Sequence, residues 1–125
     1  MNRDEFDEDG WLRGMRIYYL SRADHKLNEL IDAITRLEQS PQSPTAYRRL
    51  DRLLHNLIGS GGSYGMPEVS DAAREMLRRL KCANQSRALS ESELMSELQA
   101  GVDELKHIFT DACVREGPII SDSSP

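Results

Sequence analysis

Residues 52–68 read Arg-Leu-Leu-His-Asn-Leu-Ile-Gly-Ser-Gly-Gly-Ser-Tyr-Gly-Met-Pro-Glu, and how this stretch folds decides the architecture. Its one histidine, His55, is followed by Gly59 four residues on and Gly62 seven residues on. On a helix these three share a face, because positions three, four and seven apart stack on one side. The imidazole then stands beside bare backbone, which suits a side chain that another protein must reach. A glycine in a helix interior costs about 1 kcal/mol relative to alanine, so Gly59, Gly61 and Gly62 together cost roughly 3 kcal/mol. A small domain has only ~5–15 kcal/mol in all, so stability does not account for them. The competing reading ends the helix near Ile58 and makes Gly59–Gly65 a flexible loop, as Ser-Gly runs often are.

The helix wheel separates His55 from the core. Tyr47, Leu50, Leu54, Leu57 and Gly61 fall on one side at about 100° per residue and form the buried stripe. His55 lies about 120° from the middle of that stripe, next to Arg48, Asp51, Gly59 and Gly62. It belongs to the wet flank.

Outward from this segment the chain reads as helices throughout. Leu20, Leu27, Leu30, Ile31, Ile34 and Leu37 predict a long helix over about 17–38, preceded by a short turn around Trp11–Met15 with Gly14 as the joint. Gln39-Ser-Pro-Gln-Ser-Pro44 is a break, with Ser43 as N-cap and Pro44 as first residue of the histidine helix. Gly65-Met66-Pro67 closes that helix and opens the next, whose stripe is Val69, Ala72, Ala73, Met76, Leu77 and Leu80. Residues 83–89 read as a polar connection. Ser90-Glu-Ser-Glu93 is a capping box ahead of the stripe Leu94, Leu98, Val102, Leu105, Ile108, Phe109 and Ala112. Four amphipathic helices with short connections predict an all-α, antiparallel up-down-up-down four-helix bundle, with a short extra helix at the N-terminus. The expected division is an acidic segment over 1–16, the bundle over 17–116, and a tail or linker over 117–125.

Composition bounds the function. A hydrophobic share of 38% with 30% charged residues describes one soluble, helix-rich domain rather than a disordered chain. No apolar run approaches the ~20 residues of a membrane span, and the acidic run Asp4-Glu5-Phe6-Asp7-Glu8-Asp9 is wrong for an export signal. Cys82 and Cys113 match no metal-ligand spacing and read as free thiols of a reducing cytoplasm. His25 and His107 fall on polar helix faces and read as solvated surface, so no metal site is expected. The net charge of −5 is uneven: residues 44–81 hold seven cations against four carboxylates, net +3, which leaves −8 for the rest. That island is too small for a nucleic-acid groove but suits a phosphoryl group and an acidic partner pocket.

The run His55-Asn56-Leu57-Ile58-Gly59-Ser60, with Tyr64 and Gly65 at nine and ten residues past the histidine, resembles the histidine phosphotransfer (HPt) domain of phosphorelays. The resemblance spans roughly residues 17–113. It implies a phosphocarrier that accepts a phosphoryl group on His55 and passes it to or from a receiver-domain aspartate. Implied partners are a receiver (response regulator) domain and a hybrid or sensor histidine kinase, with the Mg²⁺ of the exchange held by the receiver. The chain itself is expected to need no cofactor, to lack kinase activity, and to act as a cytoplasmic monomer without nucleic acid or membrane insertion.

Many members carry a lysine three residues after the histidine, where this chain has Ile58. On the histidine's own face Arg52 and Arg48 are the candidates to offset phosphoryl charge, and Gly59, Gly62 and Ser60 form the expected approach surface. One ring nitrogen must keep its proton while the other attacks, so an acceptor should orient it. Asp51 on the same helix qualifies, as do Asp71 and Glu75 on the next. Two other readings stand beside this one: a pseudo-HPt module that binds a receiver or kinase without carrying phosphate, for which Ile58 speaks, and a helical oligomerisation domain in which the glycines serve close packing.

Overall fold

Ser43 opens the histidine helix as its sequence predicts: its hydroxyl accepts from the Ala46 amide at 3.1 Å, and Pro44 occupies the first turn, where no amide donor is needed. The helix then runs without interruption through the glycines to Ser63, so the loop reading of 59–65 does not hold. The computed structural model describes residues 8–86 and 90–116. All five elements among them are helices: α1 (Glu8–Ser21), α2 (Ala23–Gln39), α3 (Pro44–Ser63), α4 (Pro67–Ser86) and α5 (Glu91–Glu116). The acidic residues before Glu8, the end of the expected polar connection (87–89) and the expected tail over 117–125 lie outside the described residues.

Helix α3 packs on α2 and α4, and α5 packs on both α2 and α4, so these four close a ring around one core. Leu30, Leu50, Leu54, Met76, Leu80, Leu98, Val102 and Leu105 fill its centre, and they come from the apolar stripes read in the sequence. Each buried leucine contributes about 1.5–3 kcal/mol relative to exposure. Helix α1 lies outside the ring against α5 and α2. Its Arg16 guanidinium donates to the Glu116 carboxylate at 2.9 Å, and Arg13 reaches the Glu116 carbonyl at 2.8 Å.

Two helix boundaries differ from expectation. The long first helix over 17–38 is divided at Arg22, and Gly14 is not a joint but an ordinary position inside α1. Arg22, at φ −106° and ψ 5°, sits at the break; its amide bonds the Tyr19 carbonyl and its own carbonyl accepts from Lys26. The kink costs few hydrogen bonds, which is why composition gives no warning of it. It also lets Tyr19, Leu20 and Ala23 all reach the core around the bend. Helix α4 continues through Ser86, consuming residues 83–86 of the expected connection. The capping box before α5 forms reciprocally, with the Glu93 amide donating to the Ser90 hydroxyl at 3.1 Å and the Ser90 amide to the Glu93 carboxylate at 2.8 Å.

The α3–α4 corner fixes the site above it. Gly65, at φ +75°, takes the left-handed conformation that reverses the chain. Gly61 permits the closest approach: a Cβ there would lie 2.7 Å from the Ser70 hydroxyl, 2.8 Å from the Ser70 amide nitrogen and 3.0 Å from the Met66 carbonyl. Ser70 uses that proximity, its buried hydroxyl donating to the Ile58 carbonyl at 2.5 Å. On the other flank the Tyr19 and Ser60 hydroxyls share a hydrogen bond of 2.8 Å, and the Tyr19 ring stacks on Tyr64 with centroids 5.0 Å apart.

Candidate functional site

His55 sits in the middle of α3 with 55% of its side chain exposed. One turn further on, Gly59 is exposed, and a Cβ there would meet nothing within 4 Å. Gly62 is also exposed and would make only an ordinary 3.7 Å contact with the Ser70 hydroxyl. The three glycines therefore have different roles: Gly61 serves the α3–α4 contact, while Gly59 and Gly62 keep the surface beside the imidazole low. Ser60, expected on the approach surface, is half-buried with its hydroxyl engaged by Tyr19.

One turn before His55, Asp51 brings its Oδ1 to 3.6 Å from the imidazole Nε2. The same oxygen lies 3.8 Å from Lys81 Nζ on α4, is buried, and has no hydrogen-bond partner. It lies between the two groups, beyond hydrogen-bond distance of either. Asp71 and Glu75, the other candidate orienters, are committed elsewhere: Asp71 accepts from Arg74 at 3.1 Å, and Glu75 from Arg78 at 2.6 and 3.1 Å. Hydrogen bonding to Arg78 holds the Glu75 carboxyl below the usual carboxylate range. Arg79 joins Glu75 at 2.8 Å and also pairs with Glu97 of α5.

The cations near the site thus fall into two groups. Arg48 and Arg52, on His55's own helix, are exposed and make no ion pair among the described residues. On α4, Arg74, Arg78 and Arg79 are tied to carboxylates, while Lys81 reaches the carboxylate beside the histidine. Ile58, at the position where a lysine was expected, is half-buried against the core and brings no charge. Sequence reading missed Lys81 because it lies twenty-six positions after His55. The available signal was its helical phase on α4, one turn beyond the buried Leu77, which says nothing about which α3 residue it meets.

His25 and His107 are controls within the same molecule. Each is more exposed than His55, at 65% and 78%, and each faces an exposed carboxylate one turn on, Glu29 at 3.6 Å and Asp111 at 3.4 Å. Neither combines a carboxylate with a buried oxygen, a neighbouring lysine and a glycine-cleared surface. No group of three or more His, Cys, Asp or Glu side chains that could hold a metal occurs among the described residues.

A model of the Hpt domain family matches residues 14–108, three quarters of the chain and all of the region around His55. The chain belongs to the Hpt domain family. No curated protein and no solved structure matches it. Membership supports a phosphotransfer-related role in phosphorelays, where Hpt domains interact with receiver domains and kinases. No helix among the described residues is long and apolar enough to cross a membrane.

Proposed function

We propose that this Hpt domain is a phosphocarrier in which His55 accepts a phosphoryl group from a receiver-domain aspartate or a histidine kinase and returns it to a receiver aspartate. The observation that carries this reading is the exposed imidazole with Gly59 one turn further along the same helix, where an added Cβ would meet nothing within 4 Å. A neutral imidazole is a nucleophile near neutral pH, with one nitrogen carrying a proton and the other a lone pair. As the lone pair forms the N–P bond, the acyl O–P bond of the aspartyl phosphate breaks and the receiver carboxylate leaves. The proton kept on the other nitrogen makes the product ring cationic, and Asp51 is the carboxylate placed to favour that charge. Arg48 and Arg52, free of ion pairs among the described residues, face solvent where the phosphoryl group and an acidic receiver pocket approach.

The chemistry needs no nucleotide, so the chain acts without kinase activity of its own, and the Mg²⁺ of the exchange belongs to the receiver. The closed ring of α2, α3, α4 and α5 with short connections fits an antiparallel up-down-up-down four-helix arrangement, with α1 added outside. The setting we propose is a cytoplasmic monomer.

Incubating the purified chain with a receiver domain carrying a radiolabelled phosphoryl group tests the reading. Label should pass to the wild-type chain, be acid-labile and base-stable as for a phosphoramidate, and vanish in His55→Gln with helicity retained. Label surviving His55→Gln would refute the site. A chain that binds receivers and never takes label would instead be a pseudo-HPt module, a reading favoured by the uncharged, half-buried Ile58.

A further inference from the structure

The sequence puts isoleucine where a lysine was expected, and the structure brings a different lysine to the carboxylate beside the histidine. His55 Nε2 and Lys81 Nζ both lie within 4 Å of one atom, the buried Oδ1 of Asp51, at 3.6 and 3.8 Å. The two side chains come from different helices and meet only through the α3–α4 contact that Gly61 and Ser70 hold together. Other α4 cations are spoken for: Arg74 by Asp71, Arg78 by two bonds to Glu75, and Arg79 by Glu75 and Glu97.

We propose that Lys81 is the cation of the phosphoryl site in this chain, held in place by Asp51 and supplying from α4 the charge that Ile58 lacks. The proposal rests on the phosphocarrier reading above and specifies how its site is completed. Asp51 poses a problem that Lys81 solves. A carboxylate one turn from the nucleophile favours a cationic ring but opposes an incoming phosphoryl group of like charge. With the ammonium on the same oxygen, the pair is near neutral before transfer. When the doubly charged phosphoryl group arrives on His55, the ammonium has the stronger anion within reach and can serve both. Lysine suits this shared duty as a compact point charge on a flexible stem. Its side chain is 46% exposed, so it can turn toward the phosphoryl group without unpacking the core.

Lys81→Met keeps the stem and removes the charge, whereas Lys81→Arg keeps a cation. With the labelled phospho-receiver as probe, Lys81→Met should slow transfer at saturating receiver about tenfold, the size of one partly screened charge interaction at this range. Lys81→Arg should restore most of the rate. Receiver affinity and melting temperature should stay near wild type in both, since the side chain is half in solvent. Transfer by Lys81→Met at the wild-type rate would overturn the assignment. So would a loss in both variants that tracks weakened receiver binding, because that marks a docking contact. A wild-type chain that takes no label fails at the earlier step, and the phosphocarrier reading falls with the assignment of Lys81.

Discussion

Gly59 and Gly61 lie two residues apart on one helix, and the same substitution should move stability in opposite directions. At Gly59 the added methyl enters open space, so Gly59→Ala should recover helix propensity alone, about 0.5–1 kcal/mol. At Gly61 the same propensity gain is opposed by contacts of 2.7 Å to the Ser70 hydroxyl, 2.8 Å to the Ser70 amide and 3.0 Å to the Met66 carbonyl. Two of those atoms are backbone in the first turn of α4 and its approach, so relief requires α3 and α4 to separate. Overpacking of this kind costs about 1–3 kcal/mol, and the rigid neighbours put Gly61 at the upper end. Separation also strains the Ser70–Ile58 hydrogen bond, worth about another 1 kcal/mol for a buried hydroxyl. The net loss for Gly61→Ala is then about 2–3 kcal/mol after subtracting the propensity gain. For a chain of this size each kcal/mol moves the melting temperature by about 3–5 °C. Thermal melts followed by far-UV circular dichroism should therefore place Gly59→Ala a few degrees above wild type and Gly61→Ala clearly below. A Gly61→Ala variant melting at or above wild type would refute the close α3–α4 approach, and a lower melt for Gly59→Ala would refute the open surface beside His55.

Arg52 is the nearest cation in sequence on the histidine's own face and has no ion pair to lose among the described residues. Arg52→Ala should slow phosphotransfer with the melting temperature unchanged, and an unaltered rate would leave the phosphoryl charge to Lys81 and Arg48. Tyr19 gives a pH test of the α1–α3 junction. Burial, partly offset by its hydrogen bond to Ser60, pushes its phenol above the ordinary value of 10.0. The fold thus favours the neutral phenol, so stability is intact below about pH 10 and declines as the pH rises through the raised folded value. Burial also raises Tyr47, so wild type should lose stability in urea titrations as the pH rises above about 10, and Tyr19→Phe should lose less over the same rise. Equal slopes for the two would show that Tyr19 is not titrating within the fold.

Local physics makes much of this protein legible in its sequence. The apolar positions of α2–α5 repeat at the helical period, and nearly all of them are buried or half-buried. Ser43 with Pro44, and Ser90 with Glu93, announce helix starts because a cap needs only residues within one turn. The same reasoning put His55 on the exposed flank and Asp51 within its reach, since residues four apart on a helix meet whatever the helix packs against. The break at Arg22 was not legible. A one-residue kink leaves the apolar period almost unbroken, and it is the burial of Tyr19, Leu20 and Ala23 around the bend that gives it a purpose.

What the tertiary structure alone decided is everything that depends on the meeting of two helices. The sequence shows three glycines in a row of four residues, equal in propensity; only α4 lying against α3 makes Gly61 indispensable and leaves Gly59 open. The sequence shows four cations on α4 without order among them. Carboxylates on α4 and α5 tie down Arg74, Arg78 and Arg79, and the axial register set where Ser70 meets Gly61 carries Lys81 to Asp51. That register is fixed by contacts between residues nine or more apart, whose energies do not repeat with the helical period and so leave no trace in the pattern of a single chain.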